Sequence, residues 1–375
     1  MVKATIRRRR LAAGAVCGLA AGAFAFGVAL GDGSAPRPGV ASTLSASRLA
    51  GQRIVLGFSA SRPPAAVERM IRSGEAAGVV LFAANLPSRG AGRRLIRVLQ
   101  ALPRPAGLRE PLLVMTDQEG GLVKRIGGAP GVSAQEMGDR GPAFSRTQGG
   151  LTAANLRDVG VNVDLAPVLD VARAGGTIAD EDRGFGETAA RVKATAVPFA
   201  EALQAGDVAA TGKHFPGLGL ARLNTDEAVQ RISLSKHALR AIDEAPYRRF
   251  AEAGGEMVML STAIYPALSP KPAAFSAAIA TGELRSRLGF EGVSITDALD
   301  SVAVHAFGGT AKAATAAARA GADLLLYTDY REAAVARGAL ADSLRRGKLD
   351  RADFEESVER VLRLRRRLRS ASPPG

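Results

Sequence analysis

The chain has 375 residues, 47% of them hydrophobic, with 43 Gly and 19 Pro. This is enough apolar sequence for one large core, and a single α/β barrel reaches this length. The single cysteine, Cys17, excludes an intramolecular disulfide and a metal cluster held by thiolates. The net charge of +14 favours anionic partners such as phospholipid headgroups, wall polymers or nucleic acid.

The N-terminal segment has the pattern of a targeting sequence. A basic stretch precedes an uncharged run at residues 11–31, which is about long enough to span a bilayer. We expect residues 1–31 to be a removed signal peptide or a membrane anchor whose basic end stays in the cytoplasm. Either one predicts an extracytoplasmic protein, secreted or tethered to the membrane. Residues 32–48, rich in Ser, Pro and Gly, predict a linker before a domain at residues 49–370.

Eight short apolar runs follow the linker and predict β-strands. They begin at Ile54, Gly78, Leu112, Val161, Val208, Met257, Gly292 and Asp323. Amphipathic stretches predict helices at residues 65–73, 90–102, 188–205, 236–253, 276–288, 330–345 and 351–369. Continuous apolar strands are typical of a parallel sheet, and eight strands alternating with helices predict a closed (β/α)8 barrel of the TIM type.

The last predicted helix contains the basic sequence "RVLRLRRRLR", from Arg360 to Arg369. Its arginines fall among leucines at helical spacing, which predicts an amphipathic helix with a solvated basic face. Since no aromatic or recognition motif accompanies this charge, we expect no nucleic-acid partner.

Polar residues follow four of the predicted strands. In parallel barrels the active site is built at the carboxyl ends of the strands, so these residues should converge. Together they predict a site that binds or cleaves a polyol. They are Asp117 and Arg125 after the third strand, Arg183 in the loop after the fourth, Lys213 and His214 at the fifth, and Asp297 after the seventh.

The motifs around these residues resemble glycoside hydrolase family 3, and within it the single-domain β-N-acetylhexosaminidases. "TDQEGGLVKRIGG", "NVDLAPVLDV", "DRGFG", "GKHFPGLG" and "GFEGVSITDAL" occur in the order typical of the family. The resemblance covers residues 49–368 and implies a carbohydrate substrate, which could include cell-wall fragments. We expect no cofactor and no metal.

The resemblance also implies roles for individual residues. Asp297 matches the nucleophile of the family. The positions that hold sugar hydroxyls are matched by Asp117, Arg125, Arg183, Lys213 and His214. Retaining hydrolysis needs one carboxylate to form a covalent glycosyl intermediate and a second group to protonate the leaving oxygen.

The loop after the fifth strand departs from the family pattern. Members of the hexosaminidase branch usually read "KHFPGHG" and then Asp-Ser-His, with the histidine as acid/base. Here Leu218 replaces the second histidine of "KHFPGHG", and Asp226 stands at the position of the acid/base histidine of Asp-Ser-His. After the sixth strand, Ser261 and Thr262 replace a Ser-His pair.

The role of Asp226 has two possible interpretations. Asp226, or the adjacent Glu227, replaces the histidine as the general acid/base, which requires a raised pKa. Alternatively, "NTDEAV" ends the loop, with Asn and Asp side chains that cap backbone amides.

The other candidates also have alternatives. Asp297 could cap the helix that follows it, and Lys213 could form a Schiff base. Asp117 and Glu119 could bind a metal, although too few further ligands lie nearby in the sequence. Arg125 and Arg183 could brace loops through salt bridges.

We therefore carry three hypotheses. The first is an exported retaining glycoside hydrolase that acts on β-linked, N-acetylated amino sugars, with Asp297 as nucleophile and Asp226 as acid/base. The second is a carbohydrate-binding pseudoenzyme that keeps the sugar site but turns over nothing. The third is a membrane-tethered structural barrel whose basic surface holds anionic polymers, with binding that falls steeply with salt.

Overall fold

The fold is known here from a computed structural model, which describes residues 39–369. The predicted signal or anchor segment lies outside the described residues. Within the part described, no helix has the length and apolar character to cross a membrane.

The strands of the described chain form one large sheet and one short hairpin. Their bounds are β1 (Ile54–Gly57), β2 (Gly78–Val80), β3 (Leu113–Thr116), β4 (Gln118–Gly120), β5 (Val123–Lys124), β6 (Val163–Asp164), β7 (Ala209–Phe215), β8 (Met257–Leu260), β9 (Val293–Thr296) and β10 (Leu325–Tyr327).

The α-helices mostly alternate with these strands. They are α1 (Ala46–Gly51), α2 (Ala65–Arg72), α3 (Arg89–Ala101), α4 (Ala134–Arg140), α5 (Pro142–Val159), α6 (Thr177–Asp180), α7 (Ala189–Ala205), α8 (Lys236–Ala238), α9 (Ala245–Glu252), α10 (Val302–His305), α11 (Thr310–Ala320), α12 (Tyr330–Arg345) and α13 (Arg351–Arg369). Two segments, Leu239–Asp243 and Ala278–Arg287, have π-helical hydrogen bonding. Short 3-10 turns occur at Val40–Thr43 and Ala273–Phe275.

Eight parallel strands form a barrel in the order β10-β1-β2-β3-β6-β7-β8-β9. The ring closes between β9 and the start of β10, where Ile295 pairs with Leu324 and the Thr296 N–H donates to the Leu324 carbonyl at 2.9 Å. All eight predicted strands are present, and the prediction of a (β/α)8 barrel is confirmed.

The core has two layers because side chains alternate between the two faces of each strand. Inward-facing residues such as Val55, Met115 and Ile295 fill the barrel. A larger cluster, which includes Val114 and Ala210, packs the outer face of the sheet against the helices.

The C-terminal helix α13 closes the end of the barrel opposite the strand carboxyl termini. Its Val361, Leu364 and Leu368 join the interior cluster. The predicted solvated basic face is only partly correct, because Arg365 is fully buried and donates to the carbonyl oxygen of Pro111 at 2.9 Å. This buried arginine ties α13 to the segment that precedes β3.

The last part of the predicted linker is packed onto the barrel. Ala41 and Leu44 are buried, and the Ala41 N–H donates to Glu359 of α13 at 2.8 Å. Arg351 donates to the Leu44 carbonyl at 3.1 Å. The folded domain therefore includes residues before the predicted boundary at 49.

Candidate active site

The buried side chain of Lys213 lies at the centre of the candidate site, at the carboxyl ends of β3 and β7. The Nζ atom of Lys213 lies 2.7 Å from Oδ1 of Asp117 and 2.6 Å from Oε1 of Glu119. Arg183, from the loop after β6, donates to both oxygens of Glu119 at 2.9 Å. The side chains of Lys213 and Glu119 are only 3% and 2% exposed, so each charge needs these partners to remain ionised.

The pKa values in this cluster are set by the balance between burial and the neighbouring charges. Burial acts to raise the pKa of Glu119, but the positive charges of Lys213 and Arg183 outweigh it and lower the pKa to about 2. Burial acts to lower the pKa of Lys213, while Asp117 and Glu119 hold it above its usual value. A Schiff-base lysine needs an unprotonated amine, so this setting disfavours that alternative.

Asp117 connects the buried cluster to the more open part of the site. It is half-buried, and its second oxygen lies 3.9 Å from Arg125, which follows β5. The hairpin of β4 and β5 places Arg125 there, because the Gln118 side chain accepts from the Arg125 N–H at 3.1 Å and donates to the Ile126 carbonyl at 2.8 Å. The predicted residues Asp117, Arg125, Arg183 and Lys213 therefore lie in one connected group of charges.

The alternative of a metal at Asp117 and Glu119 does not fit these contacts. Both carboxylates already engage the ammonium group of Lys213, and Glu119 also engages Arg183. Within residues 39–369, no group of three or more His, Cys, Asp or Glu side chains is arranged to hold a metal ion.

His214 is held by a carboxylate that we did not select from the sequence. Its Nδ1 atom lies 2.8 Å from Oδ2 of the fully buried Asp170, which also accepts from the backbone N–H of Leu218 at 2.7 Å. The Tyr247 hydroxyl donates to Asp170 at 3.3 Å. This arrangement fixes the ring and favours a proton on Nδ1, so Nε2 is the ring atom available to a ligand.

Asp297 follows β9 and is fixed on both sides. Its backbone N–H donates to Leu260 of β8 at 2.9 Å, and its Oδ1 accepts from the Ala298 N–H at 2.8 Å. The hydroxyl of the buried Thr225 donates to its Oδ2 at 3.4 Å. The residue preceding α10 is Ser301, so the alternative of Asp297 as the N-cap of the next helix is wrong.

The loop that carries Asp226 is folded against the loop after β9. The Asp226 N–H donates to Oδ1 of Asn224 at 3.0 Å, which is an Asx turn, and its carbonyl accepts from the Val302 N–H at 3.2 Å. Asn224 thus caps a backbone amide, as expected from the alternative interpretation in which "NTDEAV" ends the loop. The Glu227 N–H donates to the Asn224 carbonyl at 3.0 Å, and both Asp226 and Glu227 reach solvent.

The electrostatic surroundings of Asp226 are unusual for an accessible carboxylate. Neighbouring protein atoms remove part of its water, and this desolvation raises the pKa of Asp226 to about 6. The negative charge of Asp297 contributes to the rise, whereas His214 opposes it. Asp226, Asp297 and His214 therefore act on one another at the same end of the barrel.

The other two histidines lie on short helices, and the Ser261–Thr262 pair directly follows β8. His237 and His305 are exposed on α8 and α10. Ser261 and Thr262 are buried after β8, and the Ser261 hydroxyl accepts from the Ala263 N–H at 3.0 Å.

Three residues of the site were not among the predicted site residues. Glu119 was considered only as a metal ligand, and Asp170 and Thr225 were not assigned a role. Asp170 lies inside the quoted "APVLDV" motif, where a lone carboxylate in an apolar run could have indicated a buried partner. The contact of Thr225 joins loops that are 72 residues apart, and no sequence pattern indicates it.

Comparison with known proteins agrees with this architecture. Residues 48–364 match the model of the glycosyl hydrolase family 3 N-terminal domain. The chain belongs to glycosyl hydrolase family 3. It is therefore a glycoside hydrolase with the barrel of that family.

The chain is similar to several named members. It is 37% identical to an uncharacterized secreted glycosyl hydrolase of Arthroderma benhamiae, over 85% of this chain and 93% of that protein. It is 36% identical to a beta-hexosaminidase of Thioalkalivibrio sulfidiphilus, over 71% of this chain and 77% of that protein.

A solved structure gives the same fold. The glycoside hydrolase family 3 beta-N-acetylglucosaminidase from Paenibacillus sp. str. FPU-7 superimposes with a TM-score of 0.82 at 28% identity. The match covers 88% of this chain and 64% of that one, so this chain spans less than two thirds of the solved protein.

Proposed function

We propose that this family 3 hydrolase cleaves β-linked, N-acetylated amino sugars by a retaining double displacement, with Asp297 as nucleophile and Asp226 as general acid/base. The observation that supports the proposal is the pair of carboxylates, Asp297 and Asp226, in two different environments. Asp297 is held by the Thr225 hydroxyl and the Ala298 N–H, while the pKa of Asp226 is raised to about 6. Two carboxyl groups with different environments suit the roles of nucleophile and acid.

The charged group beside the pair suits a sugar ring. Asp117 and Arg125 reach the open part of the site, and the buried Lys213, Glu119 and Arg183 hold that edge rigid. Charge-assisted hydrogen bonds to hydroxyls would fix the ring against Asp297. During cleavage, Asp297 attacks the anomeric carbon, while Asp226 gives its proton to the leaving oxygen. Asp226 then removes a proton from the water that hydrolyses the covalent intermediate.

The proposed sugar specificity and the proposed export of this chain are inferred from its relatives. The names of the Thioalkalivibrio and Paenibacillus proteins specify hexosaminidase and N-acetylglucosaminidase activity, and the Arthroderma protein is described as secreted. We extend these properties to this chain as proposals, together with export through residues 1–31. Wall fragments as natural substrates and a tether through residues 11–31 stay predictions.

The test compares the full-length chain with Asp297→Ala, Asp226→Ala and Glu227→Ala. Each protein is assayed on aryl β-N-acetylglucosaminides and β-glucosides with good and poor leaving groups. A good leaving group needs little protonation, so it reports on the nucleophile, whereas a poor one reports on the acid. We expect Asp297→Ala to lose activity on both. For Asp226→Ala, kcat/KM, which reports formation of the glycosyl intermediate, should fall about 100-fold or more on poor leaving groups only, since a general acid contributes roughly 10²–10⁴-fold.

Azide separates the two roles, because this small anion can enter the space of a deleted carboxylate. With Asp226→Ala, azide should attack the glycosyl intermediate and give the β-glycosyl azide. With Asp297→Ala, azide should replace the nucleophile and give the α-anomer. The same β-azide from Glu227→Ala but not from Asp226→Ala would move the acid role to Glu227. Retained sugar binding without turnover by the unmodified chain would favour the pseudoenzyme.

A further inference from the structure

The positive charge of the barrel domain is concentrated in one segment. Residues 46–110 contain 11 arginines and three glutamates, with no lysine and no aspartate, which gives this segment a net charge of +8. Residues 111–375 contain 33 basic and 32 acidic residues, so their net charge is only +1. A charge confined to one segment predicts a localised site for an anionic partner rather than a uniformly basic surface.

Helices α2 and α3 of this segment present their arginines in the same way. In both helices the buried side chains follow the pattern i, i+3, i+4, which begins at Val67 in α2 and at Gly92 in α3. The positions two and five residues further along are exposed, and all four hold arginine: Arg69, Arg72, Arg94 and Arg97. Because β1, β2 and β3 are adjacent in the barrel, α2 and α3, which flank β2 in the chain, are neighbours on its outer wall.

Most of the charge on this four-arginine surface is not neutralised within the described chain. Among residues 39–369, the side chains of Arg69, Arg94 and Arg97 have no hydrogen bond or ion pair. Arg72 lies 3.7 Å from Glu68, and both of these side chains are largely exposed to water. Such an exposed pair is weak, so Arg72 can also contact a ligand.

The carboxylate of Asp158 on α5 lies next to α3 but does not neutralise this surface. It forms ion pairs with Arg89 and Arg93, which lie at the start and on the flank of α3. Asp158 is therefore already engaged by two other arginines, and the outward-facing Arg94 and Arg97 keep their charge for an external partner.

The same segment has few groups that would contact lipid chains or nucleic-acid bases. In residues 46–110, all of which are described, Val98 is the only exposed large apolar side chain. The only aromatic residues there are Phe58, which is buried, and Phe82, which is half-buried. Membrane-binding surfaces insert apolar side chains, and single-stranded nucleic acids stack on aromatic rings. Arginine without lysine suits phosphate oxygens, because the planar guanidinium group can donate two hydrogen bonds to one phosphate.

We propose that Arg69, Arg72, Arg94 and Arg97 bind a linear polymer that carries phosphate groups. The two arginines of each helix are about 4.5 Å apart along the helix axis, and neighbouring helices pack about 8–10 Å apart. Four guanidinium groups within this area can engage successive phosphates of one chain. The surface lies on the outer wall, whereas the candidate active site lies at the carboxyl ends of the strands. A bound polymer therefore holds the hydrolase and leaves the sugar site open.

The test measures the affinity of the full-length chain for end-labelled linear inorganic polyphosphate at several salt concentrations. Four contacts with a single-stranded polyanion predict a slope of about −3 for log affinity against log salt concentration. The triple variant Arg69→Gln, Arg94→Gln, Arg97→Gln keeps one of the four contacts. At about 0.1 M salt it should bind about 10-fold more weakly, with a slope near −1.

The matched control is the triple variant Lys236→Gln, Arg248→Gln, Lys312→Gln. These residues are exposed on α8, α9 and α11, so the net charge changes equally on other helices of the barrel. The control should keep the affinity and the slope of the unmodified chain, and thermal unfolding should show that both variants are folded. Equal losses in the two variants, or unchanged binding in the arginine variant, would overturn the proposal.

Two further probes distinguish the polymer from other anionic partners. They are vesicles of phosphatidylglycerol and phosphatidylcholine, and oligothymidylate of the same charge as the polyphosphate. Vesicle binding that falls in the arginine variant while polyphosphate binding does not would assign the surface to a membrane and overturn the proposal. Tighter binding of oligothymidylate than of polyphosphate would indicate contacts with bases and also overturn it. Because no measurement needs turnover, the result is independent of the roles proposed for Asp297 and Asp226.

Discussion

The hydroxyl of Thr225 lies 3.4 Å from Oδ2 of Asp297 and joins the loop after β7 to the end of β9. Thr225 is 2% exposed, so the contact is shielded from bulk water. Beside it, the Asp226 carbonyl accepts from the Val302 N–H, which connects the same two loops a second time. The proposed acid and the proposed nucleophile are therefore positioned by one pair of loops.

Removal of the Thr225 hydroxyl should weaken the nucleophile. Thr225→Val keeps the volume of the side chain and deletes the donor to Asp297. A hydrogen bond to a charged group contributes about 1.5–3 kcal/mol, so we expect kcat/KM on a dinitrophenyl glycoside to fall about 10-fold or more. Thr225→Ser restores the donor and should recover most of the rate. Equal rates for the valine and serine variants, with unchanged thermal unfolding, would show that the contact has no role in positioning.

The raised pKa of Asp226 predicts the pH profile. A general acid must be protonated, and the pKa of Asp226 is about 6 because of desolvation and the charge of Asp297. For a poor leaving group, kcat/KM should fall as the pH rises through about 6. The fall should be absent for a dinitrophenyl leaving group and in Asp226→Ala. Glu227→Ala is the neighbouring control, and it should keep the fall; its loss there would assign the profile to Glu227.

The barrel could be predicted from the sequence because its strands are buried on both faces. Strands β8 and β10, for example, are apolar and buried at every position, and the chain has a largely apolar run for every strand of the barrel. The hairpin of β4 and β5 was not predicted, because it is stabilised by the Gln118 side chain, which bonds backbone groups up to eleven residues away. Helix α5 was also not among the predicted helices, and the adjacent Gly149 and Gly150 in its middle weaken its helical pattern.

The sequence predicted which residues lie at the ends of the strands, but not the contacts that join them into one site. Lys213 and Asp117 were expected to lie close together because parallel strands end at one edge, and they are 2.7 Å apart. The partners that fix them are buried charges whose positions depend on packing. Glu119 reaches Lys213 from the hairpin, and Asp170 reaches His214 across the loop after β6. Sequence spacing gives no distance between such loops.

Asp164 at the end of β6 should make stability fall with rising pH. It is fully buried, and burial raises its pKa to about 8, although the Gln118 N–H donates to it. Between its unfolded pKa near 4 and about 8, the folded state holds a proton that the unfolded state has released. The free energy of unfolding should therefore decrease by on the order of 1 kcal/mol per pH unit across this window.

The variant Asp164→Asn tests this assignment, because the amide keeps the Oδ1 acceptor and cannot ionise. Urea unfolding of both proteins is measured from pH 5 to pH 9. The difference in free energy of unfolding should shift in favour of the variant as the pH rises toward 8 and then level off. A constant difference across the range would mean that Asp164 has the same pKa in both states.

The buried ion pair of Glu119 should matter more for stability than any exposed pair. Glu119→Gln removes the negative charge that faces both Lys213 and Arg183, and leaves two cations with less compensation. Breaking a buried pair costs about 3–5 kcal/mol, whereas an exposed pair contributes about 0–1 kcal/mol. The matched control is Glu136→Gln, which breaks an exposed pair with Arg140 on α4. Urea unfolding at pH 7 should separate the two variants by at least about 2 kcal/mol. Equal stabilities would mean that water or a rearranged Asp117 compensates the buried cations.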